Sequence, residues 1–137
     1  MLSEALTAAA AAGGTVVVQA AGTDAWTGLR ERVARWFGRG DETRERGERE
    51  RLDRTAGALE TAARSGQAER MHDRQEAVWQ DRFETLLEGL AAEQRESAAA
   101  ELRALVEEYG VPSQAAGQVS GNGFRGPTAL EDRSGER

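Results

Sequence analysis

Asp24-Ala25-Trp26-Thr27-Gly28-Leu29-Arg30-Glu31-Arg32-Val33-Ala34-Arg35-Trp36-Phe37 carries Trp26, Leu29, Val33, Trp36 and Phe37 at helical spacing. A helix turns every 3.6 residues, so these apolar side chains share one stripe, with Arg30, Arg32, Arg35 and Arg39 on the other sides. Thr23 and Asp24 supply a cap and a favourable first-turn charge. Gly38 and Gly40 end the helix. A strand would instead alternate with period two, and no alternating run of useful length occurs in the chain. The fold class that follows is all-α.

Downstream the same periodicity repeats. A polar helix starts near Asp41, where Glu42 and Arg46, Glu45 and Arg49, and Glu50 and Arg54 stand four apart in the favourable order, predicting a solvated face over Asp41 to Arg54. Its second half becomes amphipathic through Leu52, Ala56, Leu59 and Ala63, and Ser65-Gly66 stops it. From Gln67 to Leu90, Met71, Val78, Trp79, Phe83, Leu86, Leu87 and Leu90 keep helical spacing, with a break expected at Gly89. The last helix, Glu93 to Tyr109, presents Ala98, Leu102, Leu105, Val106 and Tyr109, and Gly110 with Pro112 ends it. Short connections predict antiparallel neighbours in a small helical bundle.

Upstream lies an uncharged stretch, Ala5 to Gly22. Its eighteen positions sit at the short edge of what spans a bilayer, about 20 residues. The alanines Ala8 to Ala12 favour helix, whereas Gly13 and Gly14 each cost roughly 1 kcal/mol in a helix interior, so a bend or break is expected there. Ala10, Gly14, Val18 and Gly22 follow a four-residue step that lets another helix approach closely. The chain thus divides into an apolar helix at 1–22, a helical bundle at 23–110, and a tail at 111–137. That tail is rich in Gly, Ser, Gln and Ala, a composition of disordered chains.

Composition limits the function classes. Charged residues make up 31% of the chain and aromatic ones 5%, so the core comes mostly from Leu, Val and Ala. A net charge of −6 argues against nucleic acid as a partner, because neutralising phosphates needs a basic surface. With no cysteine there is no disulfide or thiolate metal site. Met1 to Thr7 carries only Glu4, which does not fit the positive n-region of a secretory signal, so a cytoplasmic location is expected. His72 is the single histidine, and Glu69 with His72 forms half of a pattern that di-metal bundles require twice. No nucleophile elbow or phosphate loop occurs. The expectation is a non-enzymatic protein with no cofactor, no metal and no small-molecule substrate.

Val119-Ser120-Gly121-Asn122-Gly123-Phe124-Arg125-Gly126-Pro127-Thr128-Ala129-Leu130 resembles the first part of a short C-terminal motif of actinobacterial amyloid-signalling proteins. Where that motif continues with Gln, a hydrophobic residue and Gly, this chain has Glu131, Asp132 and Arg133. Such proteins are similar to a fungal cell-death architecture, in which a helical membrane-targeting domain precedes a prion-like segment copied from a partner receptor. The resemblance implies that templated stacking of the tail, through Gly121, Asn122, Phe124, Gly126 and Thr128, activates the helical head, whose apolar N-terminal helix enters the membrane.

The residue pattern itself admits two roles for the apolar residues. Val16, Val17, Val18, Trp26, Trp36 and Phe37 suit lipid contact, since indoles with arginine flanks fit a membrane interface. The same stripes equally serve as core, or as a surface for a protein partner or a second copy. The leading expectation is a membrane-targeting effector controlled through its tail; the rival is a helical interaction module.

Overall fold

The structure is a computed structural model, and it describes residues 2–110. The readings placed on residues 111–137, including the segment 119–130, lie outside the described residues. Five helices follow one another: α1 (Glu4–Ala20), α2 (Trp26–Gly38), α3 (Glu42–Arg64), α4 (Ala68–Glu88) and α5 (Ala92–Tyr109). The all-α reading holds. Ser3 caps α1 by accepting from Leu6 N at 3.2 Å, and Asp41 caps α3 by accepting from the amides of Thr43 and Arg44. Each satisfies donors that a helix start otherwise leaves unpaired.

The pairings among α2, α3, α4 and α5 run antiparallel, as the short connections predict, whereas α1 and α5 run parallel, with Gly13 facing Leu102 and Val16 facing Gly110. Along α2 and α3, Arg30 meets Asp53 and Arg49 meets Glu31. Between α3 and α4, Arg82 meets Glu48 while Thr55 meets Gln75. Between α2 and α5, Arg32 meets Glu108 and Arg39 meets Glu101. α1 lies against α4 and α5, and its contacts with both outnumber the few that α4 and α5 make with each other. The order around the bundle is therefore α1, α4, α3, α2, α5, with α1 as the member that closes it.

One core crosses the boundary read at residues 22 and 23. Leu6, Val16 and Val17 from α1 join Leu29, Val33, Trp36 and Phe37 from α2, Leu52 from α3, Trp79, Phe83 and Leu87 from α4, and Leu102 and Leu105 from α5. At its centre Trp36, Phe37, Trp79 and Phe83 meet mostly edge to face, with centroids 5.0 to 6.3 Å apart, the geometry that ring quadrupoles favour.

Two local expectations are corrected. α1 runs unbroken through Gly13 and Gly14 because α4 packs onto its backbone there. A Cβ on Gly14 would lie 2.6 Å from Glu76 O and 3.1 Å from Gln80 N, and one on Gly13 would lie 2.9 Å from Phe83 Cε2. The small-residue step along Ala10, Gly14 and Val18 thus receives this chain's own α4, while Gly22, at φ +82°, turns the chain after α1. α2 ends at Gly38, against which Glu45 packs, as read, and Arg39 at φ 50° and Gly40 at φ +92° turn the chain beyond it. The buried row of α3 is Leu52, Thr55, Leu59 and Ala62, one step round from the stripe read off the sequence, so that Ala63 is exposed and Ala56 only half-buried.

Gly14→Ala is expected to lower stability by about 1–3 kcal/mol, the usual penalty for overpacking a tight contact. Gly57→Ala, where nothing lies within 4 Å of the added methyl, is expected to raise it by about 0.5–1 kcal/mol. Urea unfolding followed by tryptophan fluorescence reads both, and equal effects of one sign would refute the packing assigned to Gly14.

Candidate functional site

Directional bonds stitch α2, α3, α4 and α5 together. Trp36 Nε1 donates to Ala98 O at 2.9 Å, tying α2 to α5. Trp79 Nε1 donates to Thr55 Oγ1 at 2.9 Å, and that hydroxyl donates to Gln75 Oε1 at 3.3 Å, tying α4 to α3. Arg95 caps the end of α4, with Nε donating to Leu87 O and Nη2 to Leu90 O. Arg30 forms a two-pronged pair with Asp53, at 2.8 and 2.9 Å. The hydrogen bond from Arg30 to Asp53 raises the pKa of Arg30, outweighing the desolvation that lowers it.

α1 takes no part in this network. Its side-chain hydrogen bonds are local, from Thr15 Oγ1 to Ala11 O within the helix and at the Ser3 cap. Among the described residues, none of the interhelical side-chain hydrogen bonds or ion pairs involves it. Burial alone holds it. Four bulky aliphatic side chains, Leu6, Val16, Val17 and Val18, are at most 6% exposed. At ~1.5–3 kcal/mol each, their burial contributes roughly 6–12 kcal/mol before the alanines are counted. That is comparable to the whole stability of a small domain, about 5–15 kcal/mol. α1 therefore does not leave as a thermal fluctuation, and only a medium that accepts apolar surface can replace its seat.

The outward side of α1 is unusual for a bundle helix. Its exposed positions after Glu4 are Ala5, Ala8 and Gln19, whereas the outer faces of α3 and α4 carry charges at most exposed positions. Beyond its first residue, Glu4, the helix is uncharged on every side, a pattern that belongs to a core or to a membrane.

Of the residues read as lipid-contacting, Val16, Val17, Val18, Trp36 and Phe37 are buried and Trp26 is half-buried against the core. In this conformation they form the core that joins α1 to its frame, and the indole of Trp36 is committed to Ala98. The partner-binding residues Gly121, Asn122, Phe124, Gly126 and Thr128 lie outside the described residues. His72 is exposed. Among the described residues no cluster of three histidine or acidic side chains could hold a metal ion, and no helix is long and apolar enough to cross a membrane.

The solvated face read over Asp41 to Arg54 has one charged exception, which the charge pattern conceals. Glu48 is buried and accepts from Arg82 Nη2 at 2.5 Å, while the Arg82 guanidinium sits 5.0 Å from the Phe37 ring centroid and 5.3 Å from that of Trp79. The spacing carries the signal: Glu48 opens the row that continues as Leu52, Thr55 and Leu59. Glu48 Oε1 and Arg82 Nε remain without partners, so the pair is incompletely satisfied.

No protein-family model, curated protein or solved structure matches the chain.

Arg82→Leu is expected to destabilise the protein by about 2 kcal/mol, below the full penalty for a stranded buried charge because Arg82 is partly exposed. Adding Glu48→Leu is expected to recover at least about 1 kcal/mol of that loss. Additive losses in a denaturation cycle would mean that the pair is solvated and uncoupled.

Proposed function

We propose that this protein is a membrane-targeting helical effector in a signalling or cell-death system, with α1 as the arm that reaches lipid and the C-terminal motif as its control. The supporting observation is that α1 is seated by apolar contact alone in a frame otherwise joined by directional bonds. Withdrawing it breaks no interhelical hydrogen bond or ion pair among the described residues. Lipid is the medium that can take up the Leu6 and Val16–Val18 surface. The uncharged outer face removes the second obstacle, since a charge carried to the bilayer centre costs about 2.5–3.5 kcal/mol on the translocon scale.

Length sets the mode of contact. Seventeen residues at 1.5 Å each give a helix of about 26 Å, short of the roughly 30 Å hydrocarbon core. α1 is thus read as an arm that buries itself in the interface or inserts partway, with Trp26 at the headgroup level. The motif resemblance over residues 119–130 adds the expectation of a templating partner.

Flotation with phosphatidylcholine/phosphatidylglycerol vesicles tests the arm. Gly14→Leu, which wedges α1 from α4, is expected to raise the floated fraction at least fivefold over the unaltered chain. Adding Ala8→Glu and Gln19→Glu, which are solvent-facing in the bundle and so expected to change stability by less than about 0.5 kcal/mol, is expected to abolish that gain. Flotation that is absent in Gly14→Leu, or indifferent to the two glutamates, overturns the reading. A change in oligomer mass in place of flotation would favour an interaction module.

A further inference from the structure

We propose that the tail segment 119–130 docks in cis into a groove between the end of α1 and the outer face of α3, where it holds the α1 hinge closed. The docking stands independently of the membrane reading; its consequence for α1 rests on that reading.

The groove has a volume of about 600 Å³. The buried Val18 and Leu59 line it with the less buried Ala21, Gly22, Ala56 and Ala63, and His72 of α4 borders it as well. Ala56 and Ala63 belong to the amphipathic stripe of α3 that the bundle leaves without a neighbour. Gly57 borders the same space, and a methyl group added there would have nothing within 4 Å. The groove therefore continues the core outward at the one place where α1 gives way to its connection. Gly22, in the left-handed region, is the pivot about which α1 would swing.

Three observations select the occupant. The first is position: α5 ends at the same end of the bundle, with Gly110 against Val16 of α1, a Cβ there lying 3.7 Å from Val16 Cγ2. The second is reach. Thirteen residues separate Gly110 from Phe124, and a Gly/Ser-type chain of that length spans on the order of 20 Å root-mean-square, about two helix diameters. Tethering of this kind gives an effective concentration near the millimolar range, so a weak contact suffices. The third is charge. Segment 119–130 carries a single charge, Arg125 beside Phe124, while the groove rim carries Asp53 and Glu60. Their partners Arg30 and Arg64 form exposed or partly exposed pairs, which contribute little and exchange readily. Phe124 would enter over Val18 and Leu59, and Arg125 would face the acidic rim.

Stacking of the segment with a template would withdraw it from the groove, which couples a tail event to the α1 hinge without any change in the rest of the bundle.

Because the chain has no cysteine, Ser120→Cys carries a nitroxide at one defined position in the full-length protein. Amide signals of Gly22, Ala56, Gly57 and Ala63 are expected to weaken at least fivefold relative to the reduced label, while Gly38 and Asp41 at the opposite end keep theirs. Phe124→Asp, and separately Gly57→Trp, which fills the groove from an open position, are expected to restore the signals. Broadening centred on Arg32 and Arg35, or broadening unaffected by Phe124→Asp, overturns the docking. So does broadening in a mixture of isotope-labelled chain and spin-labelled chain, which would place another copy's tail in the groove. Vesicle flotation of Gly57→Trp separates the two readings. A rise supports tail control of α1, whereas restored signals with unchanged flotation leave the docking standing and remove its link to membranes.

Discussion

The close approach of α1 to α4 is the constraint on which the rest of the bundle depends. At Gly14 the two backbones come near enough that even a methyl group would meet Glu76 O. That approach lets Phe83 and Leu102 fill the space beside Gly13 and draws Val17 and Val18 fully into the interior. With few direct contacts between α4 and α5, the side of the core beneath them is closed by α1. The attraction is dispersion and the hydrophobic effect, which are strong in sum and indifferent to direction.

The remaining helices are joined in the opposite manner. Trp36 with Ala98, Trp79 with Thr55, and Arg82 with Glu48 each demand one geometry. Directional bonds of this kind contribute about 0.5–1.5 kcal/mol apiece, yet a partner left unpaired in the interior costs more, so they fix register more than they add stability. Arg82 illustrates the balance. Its guanidinium lies near two aromatic faces and bonds to a buried carboxylate, and one atom on each side of the pair goes unsatisfied. The arrangement aligns α3 with α4 around Phe37 and Trp79. The division of labour leaves the four-helix frame specified by geometry and α1 specified only by shape and greasiness.

Much of this is legible in the sequence because a core stripe at 3.6-residue spacing has few alternative readings. The Trp26–Phe37 stripe, the Trp79, Phe83 and Leu87 row, and the stops at Ser65-Gly66 and Gly110 all hold in the structure. The misreadings share one cause, which is that side-chain type does not reveal environment. Gly13 and Gly14 read as helix breakers because their value lies in what they admit, and the admitted α4 backbone is far away in the chain, at Glu76 and Gln80. Glu48 reads as solvated because its partner Arg82 sits on another helix and is also charged. The α3 stripe falls one step out because alanine is apolar enough to suggest burial wherever it recurs, so Ala63, which the fold leaves exposed, looks like Leu59, which it buries. For the lipid-contact set the difficulty is deeper: a residue suited to a membrane and a residue suited to a core are chemically the same, and only the neighbours distinguish them.

On the effector reading, magnitudes decide how the tail and the membrane divide the work. Seating α1 is worth roughly 6–12 kcal/mol from its four bulky aliphatic residues. A tethered segment held at about millimolar effective concentration in a shallow groove contributes far less, within the usual 1–3 kcal/mol of coupling between sites. Withdrawing the tail therefore cannot expel α1 by itself. It can only lower the threshold, shifting the closed population by a factor of roughly 5–150. The main driving force has to come from a surface that accepts Leu6, Val16, Val17 and Val18 in place of the core they leave, while the uncovered sides of Phe83 and Leu102 find cover of their own. Control and driving force are then separate quantities, residing in different parts of the chain: a weak, tunable contact at the Gly22 hinge, and a strong, non-specific one along the buried face of α1.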